Sequence, residues 1–128
     1  MNLLLDTHLI LWVAGQPERL PTAAQTMLTD TNNQLFFSSV SLWEVSIKRN
    51  LGRADFSVDP RRLWRMLLAN DYRELVVNSE HAIAVSQLPT LHKDPFDRIL
   101  VAQAEVEGLL LLTVDKALAA YGKSAMLV

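Results

Sequence analysis

The 128-residue chain contains no cysteine and only four glycines. The missing cysteine rules out a disulfide framework, a zinc–thiolate site and a thiol nucleophile, and it suits a reducing, cytoplasmic setting. The glycines stand singly at positions 15, 52, 108 and 122, so the Gly-rich phosphate loops of nucleotide-binding folds are absent. No repeat, low-complexity stretch or long Gly/Ser/Pro linker interrupts the sequence. A basic leader is missing as well, and no apolar run nears the roughly 20 residues that span a bilayer, so a soluble protein without a membrane partner is expected. Net charge is also scarce, at −2, which argues against a general polyanion binder. What is abundant is apolar side chain: half the residues are hydrophobic, enough for a single domain over residues 1–128 with one core.

The small net charge conceals an uneven distribution. From Lys48 to Arg73 there are seven basic residues against three acids, a balance of +4 that leaves −6 elsewhere. Within that stretch Arg61, Arg62 and Arg65 fit either a solvated helix face or a contact surface for phosphates.

Short apolar runs alternate with longer segments of helical period, the pattern of a parallel sheet covered by helices. Strands are expected at Asn2 to Leu5, Leu35 to Ser38, Leu75 to Val77 and Leu109 to Thr113, with an edge strand at Ala125 to Val128. The fourth is the most apolar, as a central strand buried on both faces should be. Helices are expected from Thr7 to about Ala14, from Pro21, and from a Ser41-x-x-Glu44 capping box to near Gly52. Asp59-Pro60 and Asp94-Pro95 read as two further helix starts, the second running to Gly108. Ser79 is expected to cap a helix through Val85, and Asp115 to open a last short one. The fold class is therefore α/β, a three-layer α/β/α sandwich around a mainly parallel sheet of four to five strands.

In such a sheet ligands bind beyond the carboxyl ends of the strands. Asp6 directly follows the first strand and Asp115 stands two residues after Thr113, while Glu44 and Asp97 are expected in the first turns of helices that begin at the same rim. Four crowded acids raise one another's pKa values unless positive charge compensates, and a divalent cation provides it. Oxygen ligands without Cys or His favour Mg²⁺ or Mn²⁺, whose chemistry with phosphates would make the protein a phosphoryl-transfer enzyme. Each acid also fits an ordinary helix cap, and Asp94 competes with Asp97 as the third ligand.

These residues together resemble the PIN-domain ribonucleases, and within them the VapC-type toxins of toxin–antitoxin pairs. The resemblance rests on Leu3-Leu4-Leu5-Asp6-Thr7-His8, on Ser41 to Lys48 around Glu44, on His92 to Ala104 around Asp97, and on Thr113-Val114-Asp115. It spans the whole chain. It implies a metal-dependent endoribonuclease with RNA as substrate, a cognate antitoxin and a homodimer. Carried over, Asp6, Glu44 and Asp97 hold the principal metal, and Asp115 completes the pocket directly or through water. Thr7 and Thr113 orient waters or phosphate oxygens. Asp97 is preferred over Asp94, which precedes a proline and is explained as an N-cap.

Arg98, beside Asp97, fits either a phosphate contact or a surface ion pair. His8, His81 and His92 lack ligand spacing, and His92 is expected to shape the loop before Asp94. Trp12, Trp43 and Trp64 fall in apolar stripes and are expected in core or dimer packing rather than base stacking. Apolar surface around Leu9, Trp12 and Leu28 fits an antitoxin groove, a dimer contact or simply core. Three rival readings remain, one of them a non-catalytic PIN-like binding module, which the intact carboxylates disfavour. A phosphatase with Asp6 as nucleophile would want a second Asp where His8 stands, and a receiver-like signalling domain would want a strand-terminal Lys.

Overall fold

Three consecutive leucines, Leu3, Leu4 and Leu5, are wholly buried, and their alternation builds both halves of the core. Side chains alternate between the two faces of a strand. Leu3 and Leu5 accordingly pack with Leu9, Phe37, Phe56, Leu63 and Leu112, while Leu4 packs with Leu100, Val101, Leu111 and Leu118. A strand buried on both faces requires helices on both sides, which is the three-layer sandwich expected.

The computed structural model describes residues 1–128. In chain order the elements are β1 (Asn2–Leu5), α1 (Thr7–Gly15), α2 (Thr22–Thr29), β2 (Gln34–Ser38), α3 (Ser39–Asn50), α4 (Pro60–Ala69), β3 (Arg73–Leu75), α5 (Ser79–Val85), α6 (Pro95–Glu107), β4 (Leu110–Thr113), α7 (Lys116–Ala119) and β5 (Ala125–Leu127). Short 3₁₀ turns at Pro17–Arg19 and Ala54–Phe56 join α1 to α2 and α3 to α4. The five strands lie in the order β3-β2-β1-β4-β5, and every pairing is parallel. The chain thus grows outward from β1 to β3 on one side, then returns to lay β4 and β5 on the other. The reversal falls between β1 and β4, and the carboxyl ends flanking such a point are where open α/β sheets place their ligands. No helix is long and apolar enough to cross a membrane.

Several boundaries differ from expectation. Ser41 and Glu44 form no capping box, because β2 runs into α3 without a loop and Ser38 is the N-cap, its hydroxyl accepting from the Val40 amide. Glu44 therefore sits in the second turn. β3 covers Arg73–Leu75 rather than Leu75 to Val77, since its pairing with β2 sets Arg73 opposite Phe36. Asn78, not Ser79, caps α5 in a reciprocal capping box with His81. Asp59 and Asp94 cap α4 and α6 as the Asp-Pro starts predicted. Gly108 ends α6 at φ 68°, the left-handed C-cap geometry that glycine favours.

Candidate metal centre

Asp6 leaves the end of β1 at the reversal point and is almost fully buried. It caps α1, one oxygen accepting from the Leu9 amide at 2.9 Å, while the other accepts from the Thr113 hydroxyl at 2.6 Å. Thr113 ends β4 and in turn accepts from the Asp115 amide at 3.0 Å, so one hydroxyl ties the first acid to the backbone of the last. Burial raises the Asp6 carboxyl above its ordinary value, and these hydrogen bonds only partly offset that cost.

Glu44 enters from α3, 3% exposed. Its Oε1 lies 2.6 Å from the Thr7 hydroxyl, and Thr7 Oγ1 lies 2.9 Å from Ser41 Oγ. A carboxylate can only accept, so the Thr7 proton goes to Glu44 and the Ser41 hydroxyl supplies the second bond. The other oxygen of Glu44 is clasped by the Lys48 ammonium at 2.5 Å, one helical turn on. That ammonium also stands over the rings of Phe56 and Phe96. Lys48 is the one cation of the basic stretch that enters the acidic pocket. The i, i+4 spacing from Glu44 was a readable sign of the pair.

Asp97 lies in the first turn of α6. Its carboxyl is pushed up to about 7, first by burial, then by the negative charges of Asp94, Glu44 and Asp6, with His92 opposing. Asp94 accepts from the Phe96 amide as the N-cap, and its charge still reaches Asp97. Asp115 caps α7 through the Ala117 amide at 2.9 Å. Although burial opposes it, the His92 hydrogen bond and the helix amides hold the Asp115 carboxyl below its usual value. Asp6, Glu44, Asp97 and Asp115 are thus gathered at one end of the sheet, each retaining an interaction that also explains it as a structural acid.

His92 was not among the expected site residues. Its Nε2 lies 2.8 Å from Asp115 and 3.3 Å from Asp97, and its Nδ1 accepts from the Asp94 amide at 3.0 Å. His81 serves elsewhere: fully buried, it completes the α5 capping box and meets Glu107 at 2.8 Å. His8 is half exposed and faces Asp55 at 3.7 Å across a cleft of about 560 Å³.

Other expected contacts fall outside this pocket. Arg61, Arg62 and Arg65 are exposed on α4. Arg61 lines a surface cleft with Arg49, Ser46 and Trp64, and Ser46 and Arg49 stand on the far side of α3 from Glu44. Arg98 makes neither a surface ion pair nor an acid contact. Its Nη2 is turned to the carbonyls of Val85 and Leu88, tying the end of α5 to α6. Leu9 is core, and Trp12 and Leu28 pack against the same cluster. Trp43, by contrast, is 61% exposed, so of the two places expected for it, core or dimer packing, the core is excluded.

A parallel α/β sandwich with carboxylates converging at its reversal point defines an acidic-site α/β domain. Residues 3–124 match the PIN domain, and the chain belongs to the PIN domain family. It is 28% identical over 118 residues to "Ribonuclease VapC22" of Mycobacterium tuberculosis, covering 91% of this chain and 89% of that protein. Its fold is similar to that of a chain in the structure of VapBC2 from Rickettsia felis bound to a DNA fragment from their promoter, at TM-score 0.71 and 15% identity over 100% of this chain and 98% of the other. A chain of FitAcB from Neisseria gonorrhoeae matches at TM-score 0.67 and 17% identity, over 98% and 96% of the two chains.

Proposed function

We propose that the protein is a Mg²⁺- or Mn²⁺-dependent endoribonuclease of one catalytic domain, acting in the cytoplasm as the toxin of a toxin–antitoxin pair. The observation that carries this reading is the convergence of Asp6, Glu44 and Asp97 beside the sheet's reversal point, where burial first, and then the charges of Asp94, Glu44 and Asp6, push the Asp97 carboxyl up to about 7. So many hard oxygen donors in one small pocket fit a divalent cation, which relieves their repulsion. Asp6, Glu44 and Asp97 would hold it, and Asp115 would complete the pocket. When bound, such a cation supplies a Lewis acid that activates water and offsets charge on the phosphate.

The surrounding side chains have separate tasks. Thr113 and the Leu9 amide fix Asp6, and Thr7 fixes Glu44, so the donors are oriented before substrate arrives. Lys48 is placed to meet a phosphate oxygen whenever Glu44 is otherwise engaged. Arg61, Arg62 and Arg65, outside the pocket, would bind RNA phosphates at a distance from the cut. The ribonuclease among the relatives and the VapBC complex among similar folds support the assignment to a toxin with an antitoxin partner. Trp43 and Ile47 on α3 and Leu51 at its C-cap, exposed one turn apart, support a homodimer contact.

The test is cleavage of a mixed structured RNA pool by the purified, antitoxin-free chain with Mg²⁺ or Mn²⁺, beside EDTA and Asp97→Asn controls. Cuts that need the cation and vanish in the variant are expected. A parent chain that neither cleaves RNA nor binds either cation by calorimetry would remove the reading and leave the acids as helix caps.

A further inference from the structure

His92, Asp97 and Asp115 place one nitrogen and two oxygens within 4.8 Å of one another, an arrangement that on spacing alone suits a cation with a histidine ligand. The hydrogen bonds behind the ring argue otherwise. An imidazole that ligates through Nε2 needs that lone pair free, and its remaining proton then sits on Nδ1. Here the Asp94 amide, itself a donor, points at Nδ1 from 3.0 Å. A proton on Nδ1 would set two donors head to head, so Nδ1 keeps its lone pair and Nε2 carries the proton. The far side agrees: Nε2 faces two carboxylate oxygens, at 2.8 and 3.3 Å, where a lone pair would be repelled and an N–H is attracted.

The ring has little freedom to turn over. The Leu91 and His92 amides both donate to the Tyr121 hydroxyl, at 3.3 and 3.2 Å, so a side chain beyond α7 anchors the loop on which His92 rides. His92 is itself mostly buried, 16% exposed. Tyr121, the loop, the start of α6 and the start of α7 are thereby fastened together, with the imidazole as the link between the acids of the two helices.

We propose that His92 is a positioning residue, a fixed Nε2–H donor that holds Asp97 and Asp115 side by side, and that it is not a ligand of the cation. Asp115 is then fixed through both oxygens, one accepting from the Ala117 amide and one from His92. Asp97 has only its Oδ2 engaged and keeps Oδ1 for the cation. With its nitrogen lone pair turned away, the pocket offers oxygen alone, which favours hard cations over zinc. The role in cation binding rests on the acidic pocket being a cation site; the protonation of the ring does not.

Two measurements separate these levels. In the cation-free protein, nitrogen NMR of labelled histidine should show His92 protonated on Nε2 with Nδ1 bare, and a proton on Nδ1 would overturn the assignment. With Mn²⁺ bound, pulsed EPR should show no directly coordinated nitrogen, and a strong nitrogen coupling lost in His92→Gln would make His92 a ligand after all. Calorimetry should find Mn²⁺ affinity weakened about tenfold to a hundredfold in His92→Ala, the usual cost of losing such a support, and largely restored in His92→Gln, whose amide N–H reaches the same place. Unchanged affinity in His92→Ala would overturn the positioning role. If the parent chain binds no Mn²⁺, the cation site itself fails, while the NMR result still decides which nitrogen carries the proton.

Discussion

Asp97 stands in conflict with its surroundings, and the conflict has a measurable sign. Its folded carboxyl is raised from 3.8 to about 7, chiefly by burial and then by three neighbouring acids. A group whose pKa rises on folding stabilises the fold at low pH and loses that contribution as pH climbs through the folded value. In the cation-free protein the loss should run from about pH 4 to pH 7. Asn mimics the protonated acid, so Asp97→Asn should be the more stable protein above pH 7, by something on the order of 2 kcal/mol after allowance for screening. Thermal melting of both proteins in EDTA at pH 5 and pH 8 checks this. Parallel losses on raising the pH would mean that Asp97 is not the strained group.

At the scale of elements, β1, β4 and the Asp-Pro helix starts were legible because each depends on local chemistry: continuous apolar runs in β1 and β4, capping acids before Pro60 and Pro95. The start of α3 was not. Ser41-x-x-Glu44 has capping-box spacing, but β2 passes straight into the helix at Ser38, and only tertiary pairing could show that. The same limit hid His92, whose part depends on three elements meeting, whereas the Glu44–Lys48 pair was within reach of helical spacing. The expectation that the acids share one rim came from strand ends for Asp6 and Asp115 and from helix starts for Glu44 and Asp97, but the direction of Arg98, turned inward to Val85 and Leu88, had no such sign. Helix α4 carries its own prediction. Its exposed Arg61, Arg62 and Arg65 lie outside the acidic pocket, so replacing all three with alanine should weaken RNA binding and reduce the slope of log affinity against log salt by about two to three. Cation affinity should be untouched. An unaltered slope would leave these arginines as a solvated helix face.

At the scale of the whole molecule, several large apolar side chains on and beside α3 are exposed. Trp43 is 61% exposed on α3, and Leu51, the residue that caps the end of that helix, is 74% exposed. If a second copy covers this face, Trp43→Glu should yield a monomer in sedimentation equilibrium while Mn²⁺ affinity stays within a few fold. A parent chain that is itself monomeric would reassign the surface to another partner.

The Thr113 hydroxyl and the Asp6 carboxyl meet across 107 positions of chain, at the seam between β1 and β4. A chain leaves the ribosome amino end first, and a domain generally folds as a unit. The first acid emerges almost at once, but the threonine that orients it, and the last acid beside that threonine, come only near the end of translation. A half-made copy therefore lacks the completed acidic pocket in which cleavage is proposed. For a molecule that would attack RNA while still attached to the machinery translating its own message, that ordering is a safeguard written into the topology.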